Sequence, residues 1–134
     1  MLDLVYKILS DNTDVTGEVS TRIYPYIREK STDMPAIMME FTGTSFSTPK
    51  ENSSKGDAYQ VEVYTYADTA TVAMRTGNKV RTALVNQSGT YNMTGVGGFS
   101  YTLLESRIRE MGMDSQNEGQ VYILVQVFEF VVSM

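Results

Sequence analysis

The sequence predicts an α+β domain in which one long helix packs across a mainly antiparallel sheet of about four strands, with a short helix at the N-terminal end. Three observations support this fold class. An alternating segment, Ala58–Tyr66, passes directly into an amphipathic segment, Thr69–Leu84. A second alternating segment lies upstream at Ala36–Thr42. Two further strand-like segments, Phe99–Arg109 and Gln120–Val132, close the chain.

The N-terminal quarter contributes a short helix and an extended piece. Apolar residues recur at spacings of three and four (Leu2, Val5, Tyr6, Leu9), which predicts a helix over Leu2–Ser10. The polar cluster that follows favours a turn, because Asp and Asn side chains bond to the nearby backbone. Arg22–Pro25 is then predicted to be extended, since the residue before a proline avoids the helical region.

The strand Ala58–Tyr66 predicts a topology for the sheet. Its side chains alternate, so Tyr59, Val61 and Val63 share one face while Gln60, Glu62, Tyr64 and Tyr66 share the other. We expect this strand to lie at an edge of the sheet, where it could pair with another chain. The final strand is apolar on both faces, so we expect it to be central or covered, and to pair antiparallel with Phe99–Arg109.

The long helix has a plausible N-cap at Asp68 or Thr69 and a stripe of small apolar residues. Gly77 interrupts this helix at a cost of about 1 kcal/mol relative to alanine. We therefore interpret Gly77 as a point of close packing against the sheet.

Three segments are predicted to be loops. Gly43–Gly56 is rich in Ser, Thr and charge, and is either a solvated connector or a segment that orders on a partner; Phe46 favours the partner. Tyr91–Gly98 is rich in glycine, but its glycines precede a strand and lack the Gly-Lys-Ser/Thr of a phosphate loop. Met111–Gly119 is the third predicted loop.

The residue inventory excludes several kinds of catalysis. The sequence contains no His and no Cys. It therefore has no Ser-His-Asp triad, no histidine base, no cysteine nucleophile and no zinc site of the usual type. An all-oxygen site for magnesium or calcium would show an EF-hand or paired-Asp spacing, and neither occurs. We predict a protein that is not an enzyme and that needs no cofactor.

Size and charge limit the class of protein further. A chain of 134 residues fits a single domain, residues 1–134. The formal net charge of −5, with scattered Lys and Arg, argues against direct sequence-specific binding of nucleic acid. Met1–Lys7 lacks a signal-peptide pattern and no segment matches a membrane helix. We expect a protein without a membrane partner that is made in the cytoplasm.

Several short segments follow one another in a particular order: the N-terminal helix, Arg22–Pro25, Met34-Pro35 before an apolar strand, Gln60–Tyr64 feeding the helix Thr69–Leu84, Glu105–Arg107, and Tyr122–Val132. This order resembles the tail-terminator, or tail-completion, proteins of long-tailed bacteriophages, prophages and gene-transfer agents. The resemblance covers nearly the whole chain and rests on element order and short motifs. It offers no catalytic residue to transfer.

The resemblance implies a structural virion protein, made in the host bacterial cytoplasm and located at the head-proximal end of the tail. Such a protein forms a ring, expected to be a hexamer, that stops polymerisation of the tail tube and presents a surface to the head. The implied partners are further copies of the chain, the tail tube protein, and the head connector or head-completion protein.

Two groups of residues are candidates for these contacts. Aromatic bulk and opposite charges on strands can fix the register between copies, although ordinary surface ion pairs are the alternative interpretation. The predicted subunit interface comprises Tyr64, Tyr66, Glu105, Arg107, Arg109, Glu110 and Tyr122. The predicted tube or connector contact, in the first loop, comprises Phe46, Lys50, Glu51 and Lys55.

Two other classes remain open. One is another tail or neck component, such as a tube protein, which would polymerise into filaments instead of closed rings. The other is a small ligand-binding domain or enzyme that uses Glu105, Glu110, Asp114 and Glu118 with a magnesium ion. The sequence spacing alone does not bring those four carboxylates together.

Overall fold

The computed structural model describes residues 2–25, 33–45, 57–92, 100–116 and 121–133. Within these ranges the chain forms three helices and six strands, all six in one sheet. The helices are α1 (Leu2–Asp11), α2 (Thr13–Val19) and α3 (Ala70–Leu84). The strands are β1 (Ile23–Tyr24), β2 (Ala36–Ser45), β3 (Asp57–Ala67), β4 (Gly89–Asn92), β5 (Ser100–Gln116) and β6 (Val121–Ser133).

The strand order across the sheet is β1-β2-β3-β6-β5-β4. Every neighbouring pair is antiparallel except β1 and β2, which are parallel. The predicted α+β class and mainly antiparallel sheet are therefore confirmed. The prediction of four strands and two helices is incomplete, because the short elements β1, β4 and α2 also form.

The position predicted for Ala58–Tyr66 is wrong. These residues belong to β3, which pairs with β2 on one side and with β6 on the other, so it is an interior strand. Its burial alternates as predicted, with Val61 and Val63 buried and Glu62 and Tyr64 partly exposed. Alternation shows that one face is covered, but it does not show whether the strand has one neighbour or two.

The polar cluster after α1 starts a second helix. Asn12 is the N-cap of α2, and its side-chain oxygen accepts a hydrogen bond from the Val15 backbone N–H at 3.1 Å. Asn and Asp are common both in turns and at the N-caps of helices, so the local sequence does not distinguish a turn from the start of a second helix. In α1 the buried stripe includes Leu4, while Tyr6, predicted to be on that stripe, is exposed.

The predicted loop Met111–Gly119 is largely strand. β5 continues through Gln116 and keeps its ladder with β6 along this stretch; residues 117–119 lie outside the described residues. Residues 111–116 contain no β-branched or aromatic side chain, so their own preference for a strand is weak. They are extended because β6, rich in valine and phenylalanine, provides the ladder.

The other two predicted loops also begin as strand. Residues 43–45 of Gly43–Gly56 belong to β2, and residues 46–56 lie outside the described residues. Tyr91 and Asn92 of the second loop belong to β4, which pairs with the start of β5. The rest of that loop also lies outside the described residues. Neither strand segment shows a long alternating pattern, so periodicity does not predict either of them.

The described helices all pack on one face of the sheet, which we call the helix face. Its core joins Leu4, Leu9 and Val15 of α1 and α2 to Phe128 and Phe130 of β6, all of them fully buried. A smaller apolar cluster under the start of α3 contains Ala67, Ala73 and Leu124. None of the described helices has the length and apolar character that crossing a bilayer requires.

Gly77 lies where α3 comes closest to the sheet, as predicted. A Cβ atom at this position would lie 1.9 Å from Cδ2 of Leu124. The Gly77 carbonyl accepts a hydrogen bond from Gln126 Nε2 at 3.1 Å. The helix is capped at its start by Thr69, whose side-chain oxygen accepts from the Val72 N–H at 3.2 Å. Because Gly77 has no side chain, α3 can approach β6 closely at this position.

An ion pair between α2 and α3 gives a pH prediction. Glu18 accepts hydrogen bonds from Arg75 Nε at 2.7 Å and from Lys79 Nζ at 3.3 Å. The Arg75 hydrogen bond is the main cause of a pKa for Glu18 below its ordinary value of 4.5. Because the folded pKa is the lower one, the resulting stability is present above pH 4.5 and is lost as the pH falls through the folded pKa.

We expect Glu18→Gln to lower the free energy of unfolding by up to about 1 kcal/mol at pH 7 and to flatten its fall below pH 4.5. Urea unfolding followed by circular dichroism between pH 3 and 7 measures this slope. Asn78→Gln, at an exposed and uncharged side chain on α3, is the control and should leave the slope unchanged. An unchanged slope for Glu18→Gln would contradict the prediction.

Candidate functional site

The second face of the sheet carries no described helix, and we call it the open face. The strand register places polar and charged side chains of four neighbouring strands on it. Six of the seven predicted interface residues lie on this face, together with three acidic residues outside the predicted set. The six are Tyr64, Tyr66, Glu105, Arg107, Arg109 and Glu110, and the three are Glu40, Glu62 and Glu129.

Tyr122, the seventh predicted interface residue, lies on the helix face. It pairs with Ala67 in the β3–β6 ladder and packs against the small apolar cluster that contains Leu124. Its partly buried ring therefore contributes to the packing of α3 on the sheet. The four predicted loop residues, Phe46, Lys50, Glu51 and Lys55, lie outside the described residues.

Two arginines on β5, Arg107 and Arg109, form what we call the arginine pair. Both bind Glu129 of β6: Arg107 Nε donates to Oε1 at 2.9 Å, and Arg109 Nη1 donates to Oε2 at 2.8 Å. Arg107 Nη2 also donates to Oε1, and Glu105 lies 4.0 Å from Arg107. One carboxylate on the central part of the sheet thus orients two cations at its edge.

Burial differs between the partners in this group. The Glu129 side chain is only 12% exposed, whereas the arginine side chains are about half exposed at 54% and 49%. Desolvation is the largest single influence on Glu129 and raises its pKa, but the hydrogen bonds and charges of both arginines together bring the pKa below its ordinary value. Glu129 is therefore ionised at neutral pH, and the guanidinium groups keep donors available to solvent.

At the other side of the open face, Glu40 of β2 and Glu62 of β3 form what we call the carboxylate pair. The ladder places them directly opposite each other, an arrangement that is unfavourable for two like charges. The Tyr64 hydroxyl lies 3.1 Å from a Glu40 oxygen and is also hydrogen-bonded to Glu62. A single hydroxyl proton serves one carboxylate at a time, so Tyr64 reduces the repulsion only partly.

The tyrosines of the open face are partly desolvated. Burial is the largest cause that raises the pKa of Tyr64, and the hydrogen bonds from its hydroxyl to Glu62 and Glu40 raise it further. Burial alone raises the pKa of Tyr66. Both phenols stay neutral at physiological pH, so neither is prepared to act as a base or nucleophile. Their chemistry suits contact and hydrogen bonding.

A shallow, open concavity of about 410 Å³ lies between the two charged groups and is lined by Glu62, Glu110, Gly112, Val125 and Val127, among others. The described residues contain no group of three or more acidic side chains placed to hold a metal ion. Glu105 and Asp114 of the proposed carboxylate site sit nine positions apart on the extended strand β5, a separation of roughly 30 Å. Glu118 lies outside the described residues. Glu105 and Asp114 therefore do not meet at one site.

The structure also shows two strand edges that the sequence analysis did not locate. β1 pairs only with Ile37 and Met38 of β2, and β4 pairs with β5 only as far as Leu103. The Asn86 N–H also donates to the Ser106 carbonyl of β5 at 3.1 Å. Beyond Met38 on β2 and beyond Ser106 on β5, the strands are edges of the sheet within the described part of the chain. Strand pairing depends on contacts between residues that are far apart in sequence, so local patterns do not show where the edges of a sheet lie. The one local signal is the two methionines in residues 111–113, which are unusual for a polar loop and indicate an apolar surface there.

Comparisons with known proteins identify the fold. No family model matches this chain, and no curated protein matches it. A solved structure with a similar fold is a chain from the virion of a native gene transfer agent (GTA) particle, with a TM-score of 0.70 and 13% sequence identity. The match covers 96% of this chain and 90% of that chain. The α+β fold described here is therefore the fold of a protein present in a gene transfer agent virion.

Proposed function

We propose that this chain is a structural virion protein, and specifically that it acts as a tail terminator. In this role it forms a ring at the head-proximal end of the tail tube, stops tube polymerisation, and provides the surface that joins the head connector. The observation that carries the proposal is the fold shared with a gene transfer agent virion chain over nearly the full length of both. The resemblance of the element order to tail-terminator proteins supports the finer role.

The chemistry of the surface supports an assembly function. The open face combines charged groups of both signs with partly buried tyrosines, a composition that suits a specific contact between proteins. The available side chains do not include His or Cys, and the described carboxylates do not converge on a metal site. A structural protein that acts through contacts with other proteins needs no histidine, no cysteine and no metal site.

The experiment that tests this function measures the assembly state. We expect light scattering on a concentration series, with negative-stain images of the same samples, to show closed rings of about six copies or monomers that close into rings on tube ends. Addition of the protein to growing tail tubes should stop their elongation at one end. Open filaments of the protein alone would instead indicate a tube protein, and a monomer that never associates or caps tubes would contradict a ring-forming role.

A further inference from the structure

The sheet ends in two edges with backbone groups available for pairing. The outer edge of β2 is uncovered from Met39 to Ser45 within the described part of the chain. The outer edge of β5 is uncovered there from Arg107 to Gln116, since the Ser106 carbonyl accepts a hydrogen bond from the Asn86 N–H at 3.1 Å. Such an edge presents a row of N–H and C=O groups that another strand can use. Natural proteins usually protect long strand edges, so two uncovered edges in one sheet indicate that each edge pairs with another chain.

Strand direction allows these two edges to meet each other. β2 and β6 run in one direction, and β3 and β5 run in the opposite direction. When a second copy is placed beside the first in the same orientation, β5 of one copy therefore meets β2 of the next as an antiparallel neighbour. The contact uses two different surfaces, and a head-to-tail contact of this kind can repeat around a closed ring.

The two edges carry apolar side chains on the same face. Phe41 on the β2 edge is 43% exposed, while Met111 and Met113 on the β5 edge are 45% and 40% exposed. The register puts all three on the helix face, because Phe41 pairs with Val61, Met111 with Gln126 and Met113 with Leu124. Antiparallel pairing that sets Glu40 beside Arg109 would place Phe41 opposite Ile108 and within diagonal reach of Met111, so that part of both exposed side chains is buried.

A β-bulge in β5 creates this arrangement. The ladder shifts between Ile108 and Glu110, so that the residues after the bulge change faces relative to those before it. Met111 and Met113 consequently lie on the helix face, while the arginine pair, which precedes Glu110, lies on the open face with Glu129.

The charges on the open face are complementary across the two edges. The β2 edge carries the carboxylate pair, whose like charges oppose each other within one copy. The β5 edge carries the arginine pair, whose two cations share Glu129 and lie between Glu105 and Glu110 on the strand. Placing the β2 edge of one copy beside the β5 edge of another would bring Glu40 toward the arginine pair and give each group an opposite charge.

We propose that the β5 edge of one copy pairs with the β2 edge of the next, with Glu40 beside Arg109 of the arginine pair and with Phe41 opposite Ile108, within diagonal reach of Met111. The occupant of each edge is thus a second copy of this chain. This inference rests on the proposed function, because a ring requires a head-to-tail contact and these edges supply one.

Charge reversal tests the pairing. Glu40→Lys places a cation opposite the arginine pair, and Arg109→Glu places an anion opposite Glu40, so each variant alone should raise the dissociation constant for self-association more than about tenfold. An equimolar mixture of the two variants should recover association, because alternating copies then present opposite charges at every contact. The double variant Glu40→Lys/Arg109→Glu should recover it as well.

Controls separate association from folding. Within one copy Glu40→Lys faces Glu62, so its free energy of unfolding should be unchanged or higher while its association is lost. Asp11→Lys, a charge reversal in the exposed Lys7–Asp11 pair of α1, should assemble as the unmodified protein does. Arg109→Glu loses a contact with Glu129, but the mixture and the double variant carry the same loss and should still assemble.

The outcomes distinguish the inference from the function on which it rests. Recovery in the mixture and in the double variant, after loss in both single variants, is the expected result. Rings formed equally well by both single variants, or no recovery on mixing, would overturn the edge pairing and leave the ring intact. An unmodified protein that stays monomeric at every concentration and on tube ends would overturn the ring and the pairing together.

Discussion

Replacing Phe128 by alanine is expected to lower the free energy of unfolding by about 3–5 kcal/mol, a large fraction of the stability of a domain of this size. Phe128 is fully buried on β6 and belongs to the core cluster beneath the helices. Its ring stacks on that of Phe130, with centroids 6.4 Å apart. Its partner in the ladder, Val61 of β3, is also fully buried. The truncation therefore opens a cavity where an interior strand cannot shift to fill it.

Urea unfolding followed by circular dichroism measures this loss, at a protein concentration held equal for all variants. Tyr6→Ala is the matched control, because it truncates an exposed aromatic residue on α1 and should cost no more than about 1 kcal/mol. Similar losses for the two variants would contradict the position of Phe128 in the core. A Phe128→Leu variant, which keeps most of the apolar volume, should fold even if the alanine variant does not.

Gly77→Ala is expected to lower the free energy of unfolding by about 1–3 kcal/mol. Alanine favours a helix over glycine by about 1 kcal/mol, so a helix without a close neighbour would gain stability. At Gly77 the added methyl group would lie 1.9 Å from Leu124 Cδ2 and 3.3 Å from Leu124 Cγ. Leu124 is only 1% exposed and packs against Ala67 and Ala73, so its side chain has little space to move away. The steric cost therefore exceeds the gain in helix propensity.

Gly17→Ala provides the same chemical change with the opposite expected sign. Gly17 lies in α2 with no atom within 4 Å of an added Cβ, so this variant should be more stable by about 0.5–1 kcal/mol. Leu124→Val shortens the opposing side chain and should recover part of the loss in the double variant with Gly77→Ala. Thermal or urea unfolding of the unmodified protein, Gly77→Ala, Leu124→Val and the double variant completes this double-mutant cycle. A stabilising Gly77→Ala would show that α3 does not approach β6 this closely.

The local pattern of the sequence was sufficient for the elements whose pattern is long and regular. The alternation of Ala58–Tyr66 and the amphipathic stripe of Thr69–Leu84 predict β3 and α3 within one residue at each end. The glycine in that helix predicts close packing, and Leu124 supplies the close neighbour. Each of these features depends on residues near one another in the chain.

The candidate surface was predicted only in part. Opposite charges along one strand predict a contact between copies at Glu105, Arg107, Arg109 and Glu110, and the structure brings Arg107 and Arg109 together on one face through Glu129. Glu129 itself was not selected, since a single acidic residue in an apolar strand gives no sign of its partners. Tyr122 was assigned to the same surface, but its register with Ala67 places it on the opposite face.

The sequence by itself determined the α+β class, the mainly antiparallel sheet, the antiparallel pairing of the last two long strands and the exclusion of histidine and cysteine chemistry, because periodicity and composition are local properties. Only the tertiary structure decided which strands form the edges, how far β5 extends and which side chains share a face. Strand order depends on pairing between distant residues, and a single bulge changes the face of every residue beyond it.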